Sequence, residues 1–135
     1  MRVVMTNGCF DLLGPHHIRF LGECAALGDY LVVAVNSDES VKHLKGRLPI
    51  RTQEERAYML KCLRFVDDTV IFHSEGELTS LIHRIGPDVL AKGAEYSGRK
   101  VTGSEYAKSV QFITMIPGHS TTKTMERIRQ CQPAS

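Results

Sequence analysis

The sequence has no apolar run long enough to span a bilayer, no C-x-x-C pair, no internal repeat and almost no charge imbalance. The first absence excludes a membrane-spanning helix. With no secretory signal pattern either, the expected location is the cytoplasm, without membrane association. The four cysteines, Cys9, Cys24, Cys62 and Cys131, are far apart and read as reduced thiols rather than a disulfide framework or a metal site. A formal net charge of +2, from 17 Lys and Arg against 15 Asp and Glu spread along the chain, gives little drive toward nucleic acid. A local basic pocket stays open. Hydrophobic content of 42% and charged content of 24% over 135 residues describe one folded domain with a real core.

What is present alternates between strand-like and helix-like periods. Short, β-branched runs at Val3–Met5, Tyr30–Val35, Thr69–Phe72, Val89–Ala91 and Val110–Ile116 read as strands buried on both faces. Between them, Ile18, Leu21 and Ala25 form a helical stripe with Gly28 as its expected C-terminal cap. Met59, Cys62, Leu63 and Val66 form a second stripe behind a Thr52–Glu55 capping box. Leu78, Leu81, Ile82 and Ile85 form a third behind a Ser74–Glu77 box, and a last helix is expected from Ser120 with Met125 and Ile128 inward. This order predicts an α/β fold: a doubly wound, five-stranded parallel sheet with helices on both faces, Rossmann-like. The domain is expected over 1–130, with 131–135 a tail or the start of a linker to a further domain.

Ligands of such sheets sit beyond the carboxyl ends of the strands, where strand order reverses. The stretch after the first strand, "NGCFDLLGPHHIRFL" (7–21), is therefore the first place to look for chemistry. Pro15 suits the first helical position, Gly14 leaves room for a ligand near the backbone, and the helix start is a ready anion site. His16 and His17 fall in that first turn, where a cationic imidazole attracts phosphate. They read equally as solvated first-turn residues. A metal pair is disfavoured, because adjacent helical residues point about 100° apart.

"NGCFDLL" followed by a histidine resembles the nucleotidyltransferase superfamily marked by an H-x-G-H motif, and further stretches agree in the same order. They are "VVAVNSDESVKHLKG" (32–46), "RTQEERAYMLKCLRFVDDTVIF" (51–72), "PDVLAKGAEY" (87–96) and "GHSTTKTMERI" (118–128). Similar families include glycerol-3-phosphate cytidylyltransferases, phosphonate cytidylyltransferases and the adenylyltransferase domain of ADP-heptose synthases. The resemblance implies attack by an acceptor phosphate on the α-phosphorus of a nucleoside triphosphate, which carries Mg²⁺, with loss of pyrophosphate.

Carried over residue by residue, the resemblance assigns His17, Lys45 and Thr121 to catalysis. "H-x-G-H" has become "GPHH", so His16 is a candidate to replace the histidine missing at Gly14. Asn7, Gly8, Cys9, Phe10, Asp11, Gly14, Lys92, Gly93, Glu95, Ser120, Thr121 and Thr122 are implied to bind nucleotide. Asp38 and Arg56 are implied to face the acceptor. Tyr96 reads either as stacked near the base or as a packed aromatic. Glu95 replaces the usual aspartate, and Pro117 adjoins Gly118, a shortened loop. These departures favour CTP with a phosphonate or polyol phosphate. The alternatives are an ATP-dependent adenylyltransferase for a sugar 1-phosphate, toward which "VNSD.SV..LKG" and "VLAKG" lean, and a catalytically weakened nucleotide-binding domain. A homodimer and fusion to a second domain are further expectations.

Overall fold

A computed structural model describes residues 1–114 and 120–131. Strands β1 (Val3–Gly8), β2 (Tyr30–Asn36), β3 (Asp68–Phe72), β4 (Val89–Gly93) and β5 (Ser109–Ile113) form one sheet. Its order is β3-β2-β1-β4-β5 and every pairing is parallel. The helices are α1 (Pro15–Ala25), α2 (Asp38–Lys45), α3 (Gln53–Lys61), α4 (Glu75–Ile85) and α5 (Thr121–Gln130), with 3-10 turns at Ala94–Tyr96 and Ser104–Tyr106. The Rossmann-like, doubly wound sheet is thus present.

Strand alternation builds the two halves of the core. Val4, Leu31, Val33 and Val35 point to one face and pack on Phe20, Leu21 and Cys24 of α1 and Leu60 of α3. Met5, Val32 and Ala34 point to the other and meet Leu78, Leu81 and Ile82 of α4. Each fully buried aliphatic side chain contributes about 1.5–3 kcal/mol. Because both faces are covered, the central strands read as continuous apolar runs. At the sheet edge, β5 exposes Gln111 and Phe112.

Several local expectations change. The inward face of α1 is His16, Phe20, Leu21 and Cys24; of the expected stripe only Leu21 is buried. α3 stops at Lys61, with Cys62 as its exposed C-cap, and its inward residues are Arg56 and Leu60 while Met59 faces out. An inward-facing arginine misleads a search for apolar periodicity. The Thr52–Glu55 capping box forms in full. At α4, Ser74 Oγ accepts from the Glu77 N–H at 3.1 Å, but the Glu77 carboxylate pairs with His73, so only half of that box exists. α5 buries no residue, and Ile128 is exposed. α2 was not anticipated, although Ser37 caps its start and Gly46, in the left-handed region, ends it. Residues 115–119 and 132–135, which include the end of the expected fifth strand, the Pro117–Gly118 junction, His119 and most of the tail, lie outside the described residues.

Gly28 does not cap α1, whose C-cap is Ala26. It lets the chain pass against β1: a Cβ there would lie 2.7 Å from both the Arg2 carbonyl oxygen and Val4 Cγ2. Gly28→Ala is expected to cost about 1–3 kcal/mol, the range for overpacking against atoms that cannot yield. A urea titration that leaves the unfolding midpoint unmoved would refute this.

Candidate functional site

β2 lies on one side of β1 and β4 on the other, so strand order reverses at β1. A cavity of about 510 Å³ opens at that point, beyond the strand ends. Asn7 and Gly8 close β1, Asn36 closes β2, and Lys92 and Gly93 close β4; all five line the cavity. Cys9, Phe10, His17, Lys45, Glu95, Tyr96 and Thr121 line it as well.

The turn between β1 and α1 is held in an uncommon conformation. Phe10 and Leu12 both have positive φ, 52° and 49°, which is costly for bulky side chains and is typical of functional loops. The Phe10 ring is buried in the core, its centroid 5.7 Å from that of His17.

Gly14 is the N-cap of α1, and Pro15 occupies the first helical position. The Gly14 N–H donates to Nδ1 of His17 at 3.0 Å. Nδ1 is therefore the acceptor, and in the neutral ring the proton sits on Nε2, which becomes the donor. Burial lowers the His17 pKa from 6.5 to about 4, with the charges of His16 and Lys45 acting in the same direction and Asp11 opposing them. His17 is consequently a neutral N–H donor at pH 7, not the cation expected from the sequence.

His16 is buried behind this arrangement and does not line the cavity; its ring centroid is 3.8 Å from that of His17. A Cβ at position 14 would lie 3.1 Å from Cε1 of His16. A side chain at 14 would press on the ring of His16, which would have to shift by a few tenths of an ångström.

Across the cavity, Lys92 donates from Nζ to Asn7 Oδ1 at 3.2 Å and lies 4.3 Å from the Tyr96 ring centroid. This joins the ends of β1 and β4. Burial lowers the Lys92 pKa, and the carboxylates of Glu75 and Glu95 oppose that shift. Glu95 folds back over Gly93, whose missing Cβ makes room for its carboxylate. Burial raises the pKa of Cys9 and holds that of Cys24 up at about 12; all four cysteines are free thiols.

Asp11, Asp38, Arg56, Ser120 and Thr122 stand away from the cavity wall, which Thr121 reaches. The buried carboxylate of Asp11 accepts from the N–H groups of Ile50 and Arg51 at 2.8 and 3.0 Å, fastening the loop before α3 instead of facing a ligand. Asp38 Oδ1 accepts from Nη2 of Arg56 at 2.8 Å. Arg56, 1% exposed, also donates to the carbonyls of Cys9, Asn36 and Arg51. Its guanidinium is therefore occupied by protein rather than presented to an acceptor. Ser120 Oγ caps α5 by accepting from the Lys123 N–H, Thr121 Oγ1 donates to the Asp11 carbonyl at 2.9 Å, and Thr122 is exposed.

The sequence reading missed Asn36, Leu44, Glu75, Lys100 and Thr102, all of which line the cavity. Their signal was positional: they follow strands β2, β3 and β4, the side on which such sheets bind ligands. Among the described residues, no group of three or more His, Cys, Asp or Glu side chains is placed to hold a metal, and no helix is long and apolar enough to cross a membrane.

Residues 5–129 match the family described as cytidylyltransferase-like. A bifunctional protein HldE of Campylobacter concisus is 48% identical over 132 residues, 97% of this chain and 28% of that protein. HldE of Nitratiruptor sp. is 48% identical over 131 residues, 96% of this chain and 28% of that protein. The chain thus spans little more than a quarter, 28%, of the length of these curated relatives. Among solved structures, a lipopolysaccharide core biosynthesis protein from Thermoplasma volcanium superposes with a TM-score of 0.69 at 28% identity, covering 86% of this chain and 97% of that one. These relatives overturn the expectation of a CTP-dependent cytidylyltransferase acting on a phosphonate or polyol phosphate and favour the adenylyltransferase alternative. Of the departures behind that expectation, Glu95 rests beside Gly93 and lines the cavity, while the Pro117–Gly118 junction lies outside the described residues.

Proposed function

The chain belongs to the cytidylyltransferase-like family, and we propose that it transfers AMP from ATP onto a sugar 1-phosphate of the ADP-heptose type, releasing pyrophosphate. The observation that carries this reading is the 48% identity to HldE proteins across nearly the whole domain. In the reaction, an oxygen of the acceptor phosphate forms a bond to the α-phosphorus. The bond from that phosphorus to the bridging oxygen breaks, and pyrophosphate leaves with the electron pair.

The protein's part is positioning and charge stabilisation. Nε2–H of His17 donates to a phosphate oxygen as charge builds up. Lys45 and Lys92 supply positive charge from opposite walls, and the turn at Gly8–Phe10 offers backbone N–H groups. Because the Ser120 and Thr121 hydroxyls are engaged, α5 contributes through its first backbone N–H groups. Mg²⁺ arrives on the triphosphate, where the Glu95 carboxylate would be a hard oxygen donor of the kind it accepts alongside phosphate and water. Fusion to a second functional unit belongs to the same reading, since the relatives are bifunctional by name.

Phosphorus NMR with Mg²⁺, either ATP or CTP, and either heptose 1-phosphate or glycerol 3-phosphate tests this. ATP with the heptose phosphate is expected to give pyrophosphate and a new phosphoanhydride signal. Turnover with CTP alone would reject the reading. Nucleotide binding without turnover on any acceptor would identify a domain weakened by the loss of the histidine at position 14.

A further inference from the structure

The cavity is mostly a place for anions, yet two carboxylates line it. Glu95 sits beside Gly93 at the end of β4. Glu75 is the other. It begins α4 and lines the cavity together with Lys100, Val101 and Thr102. Thr102 Oγ1 donates to Oε2 of Glu75 at 2.7 Å, and among the described residues no hydrogen bond ends on Oε1.

An ionised carboxylate only accepts hydrogen bonds, so it repels phosphate and binds groups that donate. A ligand that satisfies this wall therefore carries hydroxyls near its phosphate. We propose that Glu75, oriented by Thr102, binds hydroxyl groups of the sugar acceptor and selects a polyhydroxylated phosphate over a plain one. This rests on the proposed function, and the following test separates the two.

Calorimetry on the intact chain would measure ATP, inorganic phosphate and heptose 1-phosphate separately, for wild type, Glu75→Ala and Thr102→Val. Loss of a charged hydrogen-bond acceptor is expected to weaken heptose 1-phosphate about tenfold or more in Glu75→Ala. Thr102→Val is expected to weaken it by a smaller factor, while ATP and inorganic phosphate stay within about twofold of wild type. Equal weakening of ATP would overturn the proposal in favour of ribose recognition. Unchanged heptose phosphate affinity, or none in the wild type, would overturn it outright. Wild type that binds the sugar phosphate through Glu75 yet transfers no AMP to it would sink the proposed reaction and leave this inference standing.

Discussion

His17→Ala is expected to lower kcat by about 10²-fold or more while changing the affinity for ATP little, because it removes a donor that matters most as charge develops. Two further variants isolate the atom responsible. His17→Asn can still accept the Gly14 N–H bond that Nδ1 now receives, but it lacks a donor at the position of Nε2. Its turnover should fall as far as that of alanine. His17→Gln carries an amide donor farther out and should recover part of the rate. If asparagine were as active as wild type, His17 would be a helix cap and nothing more.

The same residue makes a prediction about acid. A group that is neutral in the folded state with a pKa near 4, but near 6.5 when unfolded, binds more protons in the unfolded chain between those values. Stability is therefore unaffected by this group above about pH 6.5 and falls as pH drops toward 4. The full span is worth about 3 kcal/mol, an upper figure because the ring keeps some contact with solvent. His17→Asn should flatten the acid limb of a melting-temperature profile, while any loss of turnover through protonation of His17 should begin only near pH 4–5.

What the sequence made legible follows from how each feature is encoded. The sheet and its two-sided cover were legible because β1, β2 and β4 are apolar on both faces, a pattern that needs no partner to be recognised. The switch point follows from that topology, and with it the cavity between Asn7 and Lys92. Side-chain direction was not legible. Asp11 lies inside a recognisable phosphate-loop motif, yet its carboxylate reaches a loop about 40 residues away, a contact set by tertiary closure. Glu75 and Thr102 went unseen for the same reason: they meet across 27 residues and belong to no short motif. His17 was found, but its charge state depends on burial and on the Gly14 N–H, neither of which appears in a one-dimensional pattern.

Arg56 carries the second large expectation. The resemblance implied a side chain that grips the acceptor, whereas the structure sets it at a junction of four segments. It holds the carbonyl of Cys9 after β1, that of Asn36 at the end of β2, that of Arg51 before α3, and the carboxylate of Asp38 at the start of α2. Removing it leaves three carbonyls without this donor, that of Asn36 in a buried position. Arg56→Met should cost about 3–5 kcal/mol, the range for breaking a buried, hydrogen-bonded charge. For a domain of this size that lowers the melting temperature by roughly 10 °C or more. Arg56→Lys should be nearly as damaging, because an ammonium cannot reproduce a planar fork that serves four acceptors. A clamp for the acceptor predicts the reverse for lysine: an ordinary melting temperature with a raised acceptor KM. Heating Arg56→Lys beside wild type therefore separates the two roles, and a shift of several degrees makes this arginine the fastening between the β1 loop and α2 that keeps the cavity wall in place.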